Sequence, residues 1–315
     1  MHAVVIDGGE LCRDERPDPV PADTEVVVAV RAAGLNGADL VQRHGGYPAP
    51  PGVPADIPGL EVAGEVTAVG RLVQAAEVGD RVMALVGGGG QATMAAADES
   101  HLFPVPDGMS WPEAGGFPEV FCTAYDALFT QCGLTVGDRL LVTGAAGGVG
   151  VAGVQLGAAA GATVVASVRD PARRDDLVSL GASEVIGADA DDVARHGPYD
   201  VVLELVGAAT LPAVLRALAT GARVSVIGVG SGGRIELDLF SLMGRRARIG
   251  GSTLRSRNRA EKAAVTAAVR AHVLPLLSCG AITVPVCDTF SISDAGRAYE
   301  RFARGSKLGK VVLVH

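Results

Sequence analysis

The sequence is poor in cysteine. It has five among 315 residues (Cys12, Cys122, Cys132, Cys279 and Cys287), an odd number with no C-x-x-C pair. That excludes a disulfide framework and points to reduced thiols in a cytoplasmic protein. Basic residues are also in deficit: 27 Lys and Arg stand against 35 Asp and Glu, a net charge of −8. Proteins that coat nucleic-acid phosphates show the opposite balance, so no nucleic-acid partner is expected. The N-terminal Met-His-Ala-Val-Val-Ile-Asp has no basic stretch leading into a long apolar run, so no signal peptide is expected. No apolar run reaches the ~18 residues of a membrane span without glycine or charge, so no membrane association is expected either.

Glycine, in contrast, is abundant. Its 43 copies are about twice the ~7% average share and follow no collagen period. They read as tight turns and close backbone approaches. Apolar residues make up 48% of the chain and mean hydropathy is +0.32, enough for a sizeable core and against wholesale disorder.

The texture of the chain changes twice. Residues 1–116 alternate short β-rich runs (Glu25–Val30, Gly64–Val69, Arg81–Val86) with Gly/Pro clusters, including the five prolines of Pro48–Pro58. This is a compact β-rich domain with long loops. Residues 117–254 instead alternate buried-type strands with helical patterns. The strands are Arg139–Thr143, Thr163–Val168, Glu184–Ile186, Val201–Leu205, Arg223–Gly228 and Ala247–Gly251. Helices are expected at Gly148–Ala160, Pro171–Leu180, Thr210–Ala219 and Leu237–Gly244. Such alternation predicts an α/β fold with a doubly wound, six-stranded parallel sheet. Residues 255–315 carry a helix at Arg259–Leu277, a strand at Val284–Phe290, a helix at Ser293–Arg304 and a strand at Lys310–Val314, and are expected to return to and complete the first domain.

The most informative segment is Gly144-Ala145-Ala146-Gly147-Gly148-Val149-Gly150, between the first of these strands and its helix. It keeps the second and third glycines of G-x-G-x-x-G, with Ala145 at the first. Such glycines turn the chain, let amides approach a pyrophosphate and let helix pack on strand. The helix N-terminus adds unpaired donors and partial positive charge. Ala146, Gly147, Gly148, Val149 and Gly150 are therefore candidate dinucleotide contacts. After the second strand, Ser167-Val168-Arg169-Asp170 leads into Arg173 and Arg174, with no acid ending the strand. Serine and arginine suit a 2′-phosphate, so Ser167, Arg169 and Arg173 point to NADPH. Asp170 could instead turn to a ribose hydroxyl, leaving NADH as the less favoured alternative. Gly207 after the fourth strand, and Gly228 and Ser231 after the fifth, would line the cofactor from the carboxyl edge of the sheet.

Several further segments resemble the zinc-independent quinone oxidoreductases of the medium-chain dehydrogenase/reductase superfamily. They are Gly34–Arg43 with Gly46-Tyr47, Pro58–Gly64, Val78–Val82, Gly87–Gln91, Phe117–Glu119 with Thr123–Tyr125, and the closing Gly305–Leu313. Leu254–Arg257 and the Gly88–Ala92 loop are most similar to the tumour-suppressor-induced branch, near zeta-crystallin. The resemblance implies a GroES-like catalytic domain beside a Rossmann domain with the cofactor in the cleft between them. It also implies NADPH-dependent reduction of quinones or enones, and a homodimer. Thr123 and Lys310 join the cofactor-binding candidates by family position. Where zinc-dependent relatives carry a Cys ligand and a Gly-His-Glu motif, this chain has Asn36 and Gly59-Leu60-Glu61, and no four-Cys lobe follows. Asn and Leu do not replace those ligands, so no metal is expected.

Without a metal, the expected reaction leaves the hard chemistry to the cofactor and positioning to the protein. The candidate catalytic residues are Asn36, to fix the nicotinamide or an acceptor oxygen, and Tyr47, to stack on the ring and offer its hydroxyl. Tyr47 counts among the cofactor contacts as well. An enoyl or alkenal reductase would use the same groups, and a non-enzymatic NADPH-binding protein is the alternative of a different class.

Overall fold

The computed structural model describes residues 1–315, which divide into two compact units: Met1–Cys122 with Leu254–His315, and Thr123–Thr253. In chain order the first unit begins with strands β1 (His2–Asp7), β2 (Glu10–Glu15) and β3 (Glu25–Gly34), helix α1 (Gly37–Arg43), and strands β4 (Glu61–Val69), β5 (Arg81–Leu85), β6 (Met94–Asp98) and β7 (Leu102–Pro104). Helices α2 (Trp111–Gly115) and α3 (Pro118–Tyr125) follow, and the change of unit falls inside α3.

The second unit contains β8 (Arg139–Val142), α4 (Gly148–Ala159), β9 (Thr163–Ser167), α5 (Arg174–Ser179), β10 (Glu184–Ile186), α6 (Ala190–Arg195), β11 (Tyr199–Glu204), α7 (Leu211–Arg216), β12 (Leu218–Val226), α8 (Leu239–Arg245) and β13 (Arg248–Gly251). The first unit resumes with α9 (Arg259–His272), α10 (Leu274–Ser278), β14 (Val286–Ser291), α11 (Ala295–Ala303) and β15 (Lys310–Val314).

In the second unit the six strands run parallel in the order β10-β9-β8-β11-β12-β13. This is the doubly wound order expected from the strand–helix alternation, with its switch point between β8 and β11. Leu140, Leu141, Val142 and Val201–Leu203 are fully buried, which is why they read as unbroken apolar runs rather than alternating ones. Helix α4 packs closely because it is glycine-striped: a Cβ at Gly153 would lie 2.5 Å from Leu203, and one at Gly157 2.5 Å from Leu140.

Some boundaries differ from the sequence expectation. The Thr210–Ala219 helix stops at Arg216, because Leu218 already opens β12. The Arg259–Leu277 helix divides at Val273, where Pro275 follows and cannot donate to a continuing ladder. Helix α6, capped by the Asp189 carboxylate on the Asp192 amide, escaped the periodicity because it has one buried residue, Val193.

In the first unit a seven-stranded sheet runs β14-β15-β3-β4-β5-β7, with β6 on the other half of β3, and β1 and β2 form a separate hairpin. The return segment is integral to this sheet: β15 pairs antiparallel with β3, Val312 opposite Gly34. The β3/β4 crossing requires glycine, since a Cβ at Gly64 would lie 2.0 Å from the Ala29 carbonyl oxygen. No helix is long and apolar enough to cross a membrane.

Candidate functional site

The glycine-rich turn sits at the carboxyl end of β8. Gly147 is the N-cap of α4 and offers no capping side chain, so the amides of Gly148, Val149 and Gly150 have neither a helix carbonyl nor a cap to bind. The turn itself is pinned: the Ala145 amide donates to the Ser167 carbonyl at 3.1 Å, and Gly147 to Gly144 at 3.0 Å. A Cβ at Gly150 would lie 2.6 Å from the Gly144 carbonyl oxygen. Ala146 through Val149 are half-buried at the rim. The result is an open set of donors on a fixed backbone, the arrangement that holds a pyrophosphate.

Beside it, β9 ends at Ser167. This residue is buried, and its hydroxyl donates to the Gly187 carbonyl at 3.1 Å. Asp170 is occupied locally: one carboxylate oxygen accepts the Ala172 amide at 3.1 Å and the other lies 3.8 Å from the Arg173 guanidinium. Arg173 also bonds Asp176 at 3.2 Å. Arg169 and Arg174 are exposed and make no ion pair. Two free arginines therefore flank the strand end, while Arg173, singled out from the sequence along with Arg169, is partly neutralised.

The loops after β11 and β12 complete this edge. Glu204 is fully buried, and one of its oxygens accepts from the amides of Val206 and Gly207 (both 2.8 Å) and the Thr210 hydroxyl (2.9 Å). Gly207 needs φ of +101°. Ser231 donates to the Val206 carbonyl (2.8 Å) and accepts from the Ala209 amide (3.0 Å), stitching the two loops together. A Cβ at Gly228 would lie 2.5 Å from the Leu205 carbonyl oxygen. Gly207, Gly228 and Ser231 thus meet at the sheet edge that carries Ser167 and the cradle. Thr123, in α3, is buried.

The first unit holds a different constellation. Asn36 precedes α1 and is only 7% exposed. Its amide nitrogen donates to Glu61 Oε1 at 2.9 Å and Gly34 O at 3.3 Å, while its Oδ1 accepts from Lys310 Nζ at 2.8 Å. Lys310, 2% exposed, spends its remaining protons on Glu61 Oε1 at 2.6 Å and Leu35 O at 2.7 Å. Glu61 Oε2 accepts the Glu119 amide at 2.9 Å. Each donor of Asn36 and Lys310 is therefore committed inside the unit, and one lone pair of Asn36 Oδ1 is left over.

Asp39 braces the same turn, accepting the amides of Asn36 (2.8 Å) and Gly59 (3.2 Å). Burial raises its carboxyl to about 6 against the pull of those amides and of Lys310. Glu61 and Asp39 were not singled out from the sequence. The Asn-x-x-Asp spacing of a helix start was the available signal for Asp39, whereas nothing local announces Glu61 as the partner of a lysine 249 positions away.

Tyr47 is half-buried, and its hydroxyl bonds no protein group. Desolvation pushes the phenol up to about 12, with the nearby Glu119 charge adding to the effect. Arg255 lies over its ring, 5.1 Å from the centroid, and donates to the Tyr47 carbonyl at 2.8 Å. The structure thus brings Asn36 together with Lys310, and Tyr47 together with Arg255. Arg255 was visible in the sequence only as part of a family-like segment.

A six-stranded nucleotide-type sheet placed within a β-rich chain is the architecture of alcohol dehydrogenase-like oxidoreductases. Family models agree. The alcohol dehydrogenase GroES-like domain matches residues 22–130, and the zinc-binding dehydrogenase domain matches residues 148–269. The chain is 30% identical over 306 residues to quinone oxidoreductase of Lama guanicoe, covering 94% of this chain and 90% of that protein. It is 29% identical over 305 residues to the Homo sapiens quinone oxidoreductase, with 94% and 91% covered. Among solved structures, a mycobacterial protein complexed with NADPH superposes with a TM-score of 0.88 at 28% identity, covering all of both chains. Human synaptic vesicle membrane protein VAT-1 homolog-like protein gives 0.86 at 26% identity, covering 100% of this chain and 98% of that one. The chain belongs to the quinone oxidoreductase family of the medium-chain dehydrogenase/reductase superfamily.

One of the matching models is named for zinc, and the residues here do not suit that ion. No three His, Cys, Asp or Glu side chains converge anywhere in the chain. The Asn36 amide and the Glu61 carboxylate, which stand in the ligand-bearing segments, are already bonded to an ammonium that a cation would have to displace. The glycine-rich turn, by contrast, has the chemistry that suits a dinucleotide pyrophosphate: its amides are uncapped, and a side chain at Gly150 would collide with the Gly144 carbonyl.

Proposed function

We propose that this protein is an NADPH-dependent, metal-free oxidoreductase that reduces quinones. The observation that carries the reading is the uncapped start of α4 at the switch point of the sheet, with Arg169 and Arg174 free beside it. The amides of Gly148, Val149 and Gly150 would hold the pyrophosphate. Arg169 and Arg174, more than Arg173, would hold a 2′-phosphate, because Arg173 is shared with two aspartates. Asp170 is engaged with Ala172 and Arg173, which favours the phosphorylated coenzyme over NADH. Bound reduced nicotinamide supplies a hydride equivalent to an electrophilic acceptor.

Within the first unit, Tyr47 offers the free hydroxyl. With its pKa near 12 it stays protonated at neutral pH and donates to the oxygen on which charge develops. Asn36 and Lys310 act as positioning residues: their mutual bonds and those to Glu61 fix the turn that precedes α1. The quinone oxidoreductase relatives, aligned over nearly the whole chain, support a quinone as acceptor. The same Tyr47 hydroxyl would protonate the α-carbon of an enone, so alkenal reduction is the second reading.

A homodimer completes the proposal. Strand β13 is a sheet edge, and Leu239, Phe240 and Met243 of neighbouring α8 are 61%, 86% and 70% exposed, an apolar patch that a second copy would cover. Five free cysteines suit a cytoplasmic address.

The test is loss of NADPH absorbance with a panel of a para-benzoquinone, phenanthrenequinone, an alkenal and a crotonyl thioester. Turnover concentrated on the quinones is expected. Turnover of the alkenal alone moves the protein to the second reading, and coenzyme binding with no turnover on any acceptor overturns both.

A further inference from the structure

Glu204 ends β11 at the carboxyl edge of the second unit's sheet, and none of its surface reaches solvent. No Lys, Arg or His pairs with it. Taking an acid out of water without a cation is costly, so its hydrogen bonds must supply the compensation. They fall on one oxygen. Oε1 accepts the amides of Val206 and Gly207, both at 2.8 Å, and the Thr210 hydroxyl at 2.9 Å, while Oε2 has no partner. All three donors belong to the turn that leads from β11 into α7.

The main chain of the same residue holds a second loop. Its carbonyl accepts the amides of Ile227 at 2.9 Å and Gly228 at 3.1 Å, where the chain leaves β12. The two loops are then joined to each other. Ala208 donates to the Gly232 carbonyl at 2.9 Å, and Ser231 donates its amide and its hydroxyl to the Val206 carbonyl at 2.9 and 2.8 Å. A third tie reaches the glycine turn. The Leu205 amide donates at 2.8 Å to the buried Thr143 hydroxyl, just after β8. A Cβ at Gly144 would lie 3.3 Å from Val206 Cγ2, so Val206 packs against the first residue of that turn. One buried carboxylate thereby fixes the segment on which three loops of this edge meet. The sheet itself, held by its ladder, does not need such a group, and an apolar side chain would fill the space without the desolvation cost. What the acid adds is a single conformation for residues 205–210.

We propose that Glu204 is a positioning residue for the coenzyme. It touches no ligand. It holds the loop after β11 so that Val206 backs the glycine turn and the Ser231 loop stands beside it, and NADPH affinity depends on that order. This rests on the coenzyme reading above and adds to it a residue that acts only through others. The idle Oε2 gives the role a signature. Glutamine can accept the same three bonds on its carbonyl oxygen and place its amide nitrogen in the idle position, at a cost in stability but not in coenzyme affinity. Leucine has no acceptor, and aspartate draws its oxygens back by one methylene.

The test is calorimetric titration of the variants with NADPH. Glu204→Leu is expected to weaken binding by about tenfold or more, the worth of the bonds it removes. Glu204→Gln should stay within about threefold of wild type. Thr210→Val, which removes one bond of the three, should fall between them. Val164→Ala, a core truncation at the amino end of β9, is the control: it should lower the melting temperature and leave affinity within about twofold. Wild-type affinity in Glu204→Leu, an equal loss in Val164→Ala, or a Glu204→Gln protein as weak as Glu204→Leu overturns the proposal. If Glu204→Leu fails to give a cooperative thermal transition, Glu204→Asp and Thr210→Val decide, and wild-type affinity in both overturns it.

Amide hydrogen exchange on the coenzyme-free protein separates the two claims. The Val206 and Gly207 amides should be protected in wild type. In Glu204→Leu, protection should be lost over residues 205–210 and 227–232 while β8 and β9 keep theirs. That pattern, without NADPH binding by wild type, leaves Glu204 as the holder of the loops and removes the coenzyme reading. NADPH bound equally by wild type and Glu204→Leu does the reverse.

Discussion

The two units solve the problem of holding polar groups in opposite ways. In the second, the candidate groups are backbone amides at the start of α4, left without a partner because Gly147 offers no cap, on a turn that Gly150 lets close against the Gly144 carbonyl. In the first, the functional groups are side chains buried against one another: Asn36, Glu61 and Lys310 share one tight knot with nearly every donor committed. A backbone site needs only the right spacing along a few residues. A side-chain knot needs a sheet that brings residues 36, 61 and 310 together, and β15 supplies it by pairing with β3. The first kind tolerates ligand exchange with water, whereas the second is costly to disturb.

Substitutions should break that contrast at graded cost, most of all in the knot. Lys310→Met leaves the Glu61 carboxylate buried without its cation and should destabilise the protein by about 3–5 kcal/mol, read as a fall in melting temperature. Combining it with Glu61→Leu should recover part of the loss. If the double variant is worse by the sum of the two singles, the pair is not an isolated ionic unit.

Next comes Asp39. Its carboxyl titrates near 6 in the folded protein against about 3.9 when unfolded. The folded state therefore binds the extra proton between those values, and stability should fall as pH rises through that window. The slope integrates to roughly 3 kcal/mol. Urea midpoints measured across the window should lose this component in Asp39→Asn, and an unchanged pH slope would contradict the burial argument.

In the second unit, Gly153→Val drives a side chain into Leu203 and should cost about 1–3 kcal/mol of stability. Replacing Gly147 by Ala meets only the Gly144 carbonyl oxygen at 3.4 Å and should cost less than about 1 kcal/mol through the weaker N-cap. A separate effect, read in coenzyme choice rather than in stability, is expected at the strand end. Arg169→Ala should lower the NADPH-to-NADH preference by about tenfold, the worth of one charge-assisted contact, while Arg173→Ala should lower it less. A larger effect at Arg173 would mean that its aspartate pairs open when the coenzyme arrives.

The parallel sheet and the cradle were legible because their causes are local. Arg139–Thr143 and Val201–Leu205 read as buried strands from their unbroken apolar runs, and the glycine turn announced itself by position after the first strand. The final strand, Lys310–Val314, was also marked by its apolar run. Lys310, however, gave no sign that its ammonium turns inward to Glu61 and Asn36. Asn36 read as a free amide because its partners lie 25 and 274 positions away. Arg173 read as free a cation as Arg169 because its ion pairs with Asp170 and Asp176 form only once the turn into α5 winds. Arg255 and Glu204 lie in segments whose pattern says loop or buried strand and nothing about the backbone their charged groups hold.

The proposed function stands on main-chain amides at the start of α4 gripping a phosphorylated pyridine nucleotide. Calorimetric titration of the purified protein probes that grip with no acceptor involved. One NADPH per chain is expected, bound more tightly than NADH, with the heat abolished in Gly147→Val protein that still melts cooperatively. No heat with either coenzyme, or equal binding by wild type and that variant, would contradict it.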